Sequence, residues 1–285
     1  MLRGTTQILG IIGDPVTYSL SPVMHNAAFA ELGVDYAYLP FRIAEVDLVQ
    51  AVQGLGAIAN VWGFNVTIPH KEAILPLLAK VTDIARAVGA VNTVKRCGEG
   101  WLGTNTDVAG FLAPLQSLHR DWSQTPALVL GSGGAAKAVV AGCLQLGCPM
   151  IHALGRDHKK MRRFHSQMTT QLRDFNLRVH TWQSVDNILE VVGLVVNATP
   201  LGMASQPESP LSLEQIKLLP QGAIAYDLIY TPRPTQFLQL AKQAGYEVID
   251  GLEMLLYQGC AALEFWLEHP APTDRMRHAL IEALA

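Results

Sequence analysis

Three short stretches of the chain gather side chains that can bind an anion, hold hydroxyl groups or move a proton. The first is Tyr18-Ser19-Leu20-Ser21-Pro22, which follows a strand-like run, Ile8 to Ile12, and a Gly13-Asp14-Pro15 turn. Two hydroxyls one residue apart at a helix start, with proline in the first turn, form a small anion site. Ser21 also reads as an ordinary N-cap, but a cap does not require Ser19. The second stretch is Gly63-Phe64-Asn65-Val66-Thr67-Ile68-Pro69-His70-Lys71. A strand ends there in polar side chains, proline stops the ladder, and Lys71 opens a helix whose dipole opposes its charge. That placement marks either a functional ammonium or a plain surface lysine. His70 suits acid-base work or a structural role equally, and His25 reads as a packed polar residue on a helix. The third combines Gly89-Ala90-Val91-Asn92-Thr93 with Gly103-Thr104-Asn105-Thr106-Asp107. Both put amides, hydroxyls and a carboxylate at strand ends, the mouth of an open α/β crevice. Asp107 reads both as a cleft carboxylate and as the N-cap of the helix that begins Val108-Ala109-Gly110-Phe111.

A separate site has the chemistry of dinucleotide binding. Gly131-Ser132-Gly133-Gly134-Ala135-Ala136 follows an apolar strand and opens a helix of small residues, fitting G-x-G-x-x-A. The glycines permit a tight turn, so that helix N–H groups meet a pyrophosphate. A glycine-rich turn can also be a mere connector; its strand–turn–helix setting favours the dinucleotide. The next strand ends Ala153-Leu154-Gly155-Arg156, with no carboxylate before the arginine to take a ribose 2′-hydroxyl. Arg156 can instead bond a 2′-phosphate, which points to NADP. Lys159, Lys160, Arg162 and Arg163 keep the neighbourhood positive, mostly as a solvated helix face. Asp157 is the contrary detail and leaves some NAD use open.

Strand-like and helical patterns alternate along the chain, which indicates α/β layering. Strands are expected at Ile8–Ile12, Tyr36–Arg42, Gly63–Ile68 and Val91–Lys95, with helices from Ser21, Glu45 and Lys71 between them. A second series runs Ala127–Leu130, Met150–Leu154, Leu194–Ala198, Ile224–Leu228 and Val248–Ile249, with helices from about Gly134, Lys159, Ser212 and Thr235. The fold class is therefore two-domain α/β. An N-terminal open α/β domain over 1–106 is followed by a doubly wound Rossmann-type NADP domain over 107–251. The helical tail, residues 252–285, returns to pack on the first domain.

Bulk composition excludes several classes. A net charge of −3 offers no basic field for nucleic acid or an anionic membrane, so the partner is a small molecule. With 49% hydrophobic and 16% charged residues the chain can bury a sizeable core. Its first residues, Met1-Leu2-Arg3-Gly4-Thr5-Thr6, lack the apolar core of a signal peptide, so a cytoplasmic location is expected. Cys97, Cys143, Cys148 and Cys260 contain no C-x-x-C pair and read as reduced, with no metal site expected.

Taken together, the stretches resemble the shikimate dehydrogenase family over essentially the whole chain. The resembling runs, in the family's order, are Ser19–Pro22, Gly63–Lys71, Gly89–Thr93, Asn105–Asp107, Gly131–Ala135, Asn197–Pro200, Tyr226–Tyr230 and Gly251–Gln258. The resemblance implies NADPH-dependent, reversible reduction of 3-dehydroshikimate to shikimate, in the chorismate route to aromatic amino acids. It implies that Ser19 and Ser21 bind the substrate carboxylate, with Tyr230 near that end. Thr67, Asn92, Asp107 and Gln258 would hold ring hydroxyls. Lys71, paired with Asp107, would be the acid-base residue. On the cofactor side it implies Gly131, Ser132, Gly133, Gly134, Ala135 and Arg156, with Asp83 able to approach and Leu228 and Gly251 offering backbone groups to the nicotinamide. Two departures stand out: Gly155-Arg156-Asp157 where the family often has Asn-Arg-Thr, and Ser132 where alanine is common. Two other readings remain open at this stage. One is a quinate/shikimate dehydrogenase with relaxed cofactor use; the other is a non-catalytic metabolite-binding relative, against which Lys71 and Asp107 argue. The resemblance allows a monomer or a homodimer.

Overall fold

A computed structural model describes residues 2–172 and 175–284. Met1 and Ala285, the outer ends of the expected first domain and returning tail, lie outside the described residues. The chain forms two compact units, Met1–Gly110 with Leu256–Ala285, and Phe111–Leu255.

The first unit is built on a six-stranded sheet. Its elements run β1 (Gln7–Gly13), α1 (Ser21–Leu32), β2 (Tyr36–Arg42), α2 (Leu48–Ala57), β3 (Val61–Val66), α3 (His70–Ala73), β4 (Lys80–Val81), α4 (Asp83–Val88), β5 (Thr93–Cys97) and β6 (Gly100–Thr104). The strand order is β2-β1-β3-β5-β6-β4. β1 pairs parallel with β2 and β3, whereas β5 runs antiparallel to both β3 and β6. This last hairpin explains why the third polar stretch is split. Asn92 and Asn105, one residue outside the two paired strands, are brought side by side by the pairing Thr93↔Thr104. The sequence pattern did not disclose β4, α4 or β6, because each is short and β6 has glycine at two of its five positions.

The second unit begins inside α5 (Asp107–Gln116) and continues through β7 (Ala127–Leu130), α6 (Gly134–Gln145), β8 (Ile151–Leu154), α7 (His158–Gln171), β9 (Leu177–His180), α8 (Val185–Leu189), β10 (Leu194–Asn197), α9 (Leu213–Ile216), β11 (Ile224–Asp227), α10 (Gln236–Gln243) and β12 (Glu247–Ile249). Its sheet is parallel throughout, in the order β12-β11-β10-β7-β8-β9. That is the doubly wound order with its switch point between β7 and β10. β7, β10 and β11 are buried at every position, as central parallel strands covered on both faces must be. β9 escaped the sequence reading because it is an edge strand with only Leu177 buried.

α11 (Gly251–Leu267) and α12 (Thr273–Leu284) close the chain. From Leu256 onward they belong to the first unit, where the Trp266 indole N–H donates to the Val94 carbonyl at 2.9 Å. The same tryptophan and Tyr38 enclose His25, whose ring lies 4.5 Å from Tyr38 and 5.4 Å from Trp266. His25 is fully buried, and neither ring nitrogen has a hydrogen-bond partner among the described residues. Desolvation therefore pulls its pKa down from 6.5 to about 3.

The unfolded chain binds that proton near 6.5, so this group's stabilisation is complete above that value and is lost as pH falls toward about 3. Thermal melts between about pH 7.5 and 5 should show Tm falling with acid in the wild type, and falling less steeply in His25→Phe. Identical slopes would mean that His25 does not contribute to the acid sensitivity.

Candidate active site

The second and third polar stretches meet in one buried hydrogen-bond network of the first unit. Lys71 Nζ donates to Asp107 Oδ2 at 2.5 Å, with the lysine side chain 17% exposed and the carboxylate 7%. The Asn92 amide donates to Asp107 Oδ1 at 2.8 Å and to Thr106 Oγ1 at 2.9 Å. Its own oxygen accepts from the Thr106 N–H at 2.7 Å and the Thr93 hydroxyl at 3.1 Å. Behind this lies Asn65, which donates to Thr93 Oγ1 at 2.9 Å and accepts from the Tyr38 hydroxyl at 2.6 Å. Lys71 is placed by α3, and its carbonyl accepts from Val91 N–H at 2.8 Å, tying the lysine to the residue before Asn92. Among the described residues the ammonium gives only one of its three donors to the protein, so the others can reach a ligand oxygen.

Both expected helix caps are corrected here. The N-cap of α5 is not Asp107: Asn105 Oδ1 accepts from Val108 N–H at 3.3 Å, leaving the Asp107 carboxylate for Lys71 and Asn92. Ser21 is the first residue of α1 rather than its cap, and its N–H donates to the Ser19 hydroxyl at 3.3 Å. The Ser21 side chain is buried at the start of α1. His70 is wholly buried with Nε2 2.7 Å from the Ile43 carbonyl, a structural anchor.

The remaining first-unit candidates are more scattered. Thr67 is half-buried between β3 and α3, its N–H donating to the Ile12 carbonyl at 2.9 Å and its carbonyl accepting from His70 N–H. Gln258 is half-buried on α11, one residue before Gly259, which packs against Met24 of α1. Asp83 is exposed at the start of α4 and pairs with Arg86 at 2.8 Å, apart from the network.

In the second unit the glycine loop joins β7 to α6. Gly131 has φ +118°, and a Cβ there would sit 2.8 Å from the Ala198 carbonyl oxygen, so the backbone needs glycine. Gly133 is the N-cap of α6 and supplies no side chain to its first-turn N–H groups. Ser132, Gly134 and Ala135 are half-buried around it, with open space beside Gly133. The structure thus leaves a helix N-terminus uncapped by side chains at a strand end, which fits a pyrophosphate. Arg156 is exposed just beyond β8, and Tyr230 is half-buried after β11. Gly251 lies so close to Leu228 that any side chain would collide with its carbonyl.

One residue the sequence reading quoted without a role organises these strand ends. Buried Asp227 accepts from the Asn197 amide at 3.0 Å, the Ile229 N–H at 3.1 Å and the Thr235 hydroxyl at 2.7 Å. Burial still pushes its pKa up to about 6, helped by the nearby Asp250 charge, although the three bonds pull the other way. An aspartate closing an otherwise apolar strand was the available signal. Asn65 was quoted only as a polar strand end and Tyr38 as part of a strand, because only the fold brings the two side chains together.

Asn65→Leu should destabilise the protein by about 1–3 kcal/mol in urea unfolding, because it takes away the acceptor of the buried Tyr38 hydroxyl. Adding Tyr38→Phe should cost less than the two single changes summed, since the stranded hydroxyl is then gone. Strict additivity would mean the two side chains are not coupled.

The family model of the shikimate dehydrogenase substrate binding domain matches residues 11–94, and that of the shikimate 5′-dehydrogenase C-terminal domain matches residues 251–281. Shikimate dehydrogenase (NADP(+)) of Microcystis aeruginosa is 55% identical over 284 residues, covering 99% of each chain. The protein of the same name from Trichormus variabilis is 56% identical over 284 residues, 98% of each chain. Shikimate 5-dehydrogenase from Thermus thermophilus, solved in complex with NADP(H) and shikimate, superposes with a TM-score of 0.85 at 32% identity, covering 98% of this chain and all of that one. The chain is a member of the shikimate dehydrogenase family.

Proposed function

We propose that this protein catalyses the NADPH-dependent, reversible reduction of 3-dehydroshikimate to shikimate. The observation that carries the reading is the Lys71–Asp107 pair. An ammonium is held at 2.5 Å on a carboxylate that is itself fixed by Asn92, with donors left to face a ligand. A protein that only bound a metabolite would need no such pair. Family membership, with full-length relatives named for NADP(+)-dependent activity, supports the same conclusion.

The second unit's residues suit the cofactor. Gly131, Ser132, Gly133, Gly134 and Ala135 would hold the pyrophosphate, Arg156 the 2′-phosphate, and Leu228 and Gly251 the nicotinamide edge. When bound, the nicotinamide supplies the hydride for reduction and accepts it in the reverse direction. The first unit's residues do the rest. Lys71 as an ammonium stabilises the negative charge developing on the substrate oxygen and delivers a proton to it. For oxidation, the neutral amine takes the proton of the same hydroxyl. Asp107 aims the lysine, while Ser19 and Ser21 take the substrate carboxylate. Thr67, Asn92 and Gln258 hold ring hydroxyls; Asn92 does so by exchanging one of its present internal bonds. Tyr230 completes the carboxylate end, and Asp83 approaches the cofactor from α4. The four unpaired cysteines suit the cytoplasm, which we assign as the compartment, with the protein acting as a monomer or homodimer.

The first measurement is the absorbance of reduced nicotinamide in protein mixed with shikimate and either NADP⁺ or NAD⁺. Turnover with NADP⁺ far above NAD⁺ is expected; folded protein inert with both would remove the enzyme assignment. Lys71→Ala should lower kcat by roughly 10²–10⁴-fold with little change in KM for shikimate. A collapse of affinity with kcat preserved would make Lys71 a binding residue. Arg156→Ala should raise KM for NADP⁺ about tenfold or more and leave that for NAD⁺ alone, reflecting one charge-assisted bond to phosphate.

A further inference from the structure

The carboxylate of Asp157 stands in the loop where cofactor choice is made, and its geometry assigns it a task. β8 ends at Leu154, and an acidic residue that selects NAD by its ribose 2′-hydroxyl belongs at that strand end. Asp157 comes three residues later and is the N-cap of α7, with extended backbone (φ −109°, ψ 114°). Its Oδ1 accepts from Lys159 N–H at 2.7 Å and from Lys160 N–H at 3.1 Å. Its own carbonyl accepts from Met161 N–H at 2.9 Å, the first bond of the helix ladder.

α7 needs this cap more than most helices do. Its first turn contains no acidic residue, and the stretch from Arg156 to Arg163 carries five Lys or Arg side chains with Asp157 as the sole acid. Cations at a helix N-terminus are repelled by its dipole, and an aspartate at the N-cap opposes that repulsion. The two N–H bonds also hold the Asp157 carboxyl below the usual carboxylate range, so it stays ionised and engaged.

We propose that Asp157 is a positioning residue for NADP rather than a ligand of the NAD ribose. By fixing the start of α7 it holds Arg156 and the first-turn lysines in register with the 2′-phosphate. Its negative charge is absorbed by the helix N–H groups instead of being offered to the ribose. On this account the feature that suggested relaxed cofactor use serves the opposite preference. The inference rests on the dinucleotide reading of the second unit, but not on shikimate turnover.

Titration calorimetry of the full chain with NADP⁺ and with NAD⁺ tests it without requiring catalysis. Wild-type protein should bind NADP⁺ well above NAD⁺. Asp157→Ala, which removes the cap, should weaken NADP⁺ binding roughly three- to tenfold and leave NAD⁺ binding unchanged, the scale of one lost cap. Asp157→Ser, a neutral residue that still caps, should restore NADP⁺ binding to within about twofold of the wild type. Three results would overturn the proposal: a large loss of NAD⁺ binding in Asp157→Ser, equal losses for both cofactors in Asp157→Ala, or no change in either variant. The dehydrogenase assignment fails separately, if NADP⁺ binds as expected and shikimate is not oxidised.

Discussion

A carboxylate taken out of water must have its oxygens occupied, and in this protein Asp107 meets that condition from two directions. Lys71 engages one oxygen and the Asn92 amide the other, so neither is left exposed to an apolar interior. Everything around the pair follows from keeping it so. Asn105 caps α5 in place of Asp107, the β5–β6 hairpin sets Asn92 beside Asn105 and within hydrogen-bond reach of Thr106, and the Val91 N–H holds the backbone of Lys71. Asn65 and Tyr38 extend the arrangement into the sheet, where each polar atom finds a partner at hydrogen-bond distance. A network pinned at so many points is rigid, which suits the role proposed for Lys71 toward one substrate oxygen.

The second unit also buries a carboxylate. Asp227 is as deeply buried, yet its three partners are an amide, a hydroxyl and a backbone N–H. Its carboxyl is accordingly pushed up to about 6. What it secures is backbone: the turn after β10, the turn after β11 and the start of α10 are drawn together, which places Leu228 against Gly251. The two aspartates illustrate a division of labour. One is paired with a cation, and the other holds fixed dipoles that shape the backbone around it.

The cofactor loop shows how one residue type reads differently once its neighbours are known. In sequence, an aspartate beside Arg156 looks like a competitor of the arginine for the ribose. In the fold it is the counterweight to a basic helix start, and its oxygen lies on the Lys159 and Lys160 N–H groups. Gly155, a second departure from the family's usual loop, lies against the flexible Met161 thioether of α7, so a side chain there would require Met161 to move aside.

Much of this was legible in the sequence. Alternating apolar runs indicated the α/β class, the glycine loop after an apolar strand located the nucleotide unit, and eight motifs in order disclosed the family. These signals are local, since each depends on periodicity or on a turn's demand for glycine, which a short window contains in full. Short or edge elements such as β6 and β9 were not legible, having too few buried positions to set a period. Nor were the identities of the true caps, which depend on competition among several capable side chains. Asn105 and Asp107 are equally good cap residues in a sequence, and only the arrival of Lys71, thirty-six positions away, decides between them. The sequence by itself determined which chemistry was present and in which kind of fold. Tertiary structure alone decided which polar group is the partner of which, because hydrogen bonds are short-ranged and their partners come from strands far apart in the chain.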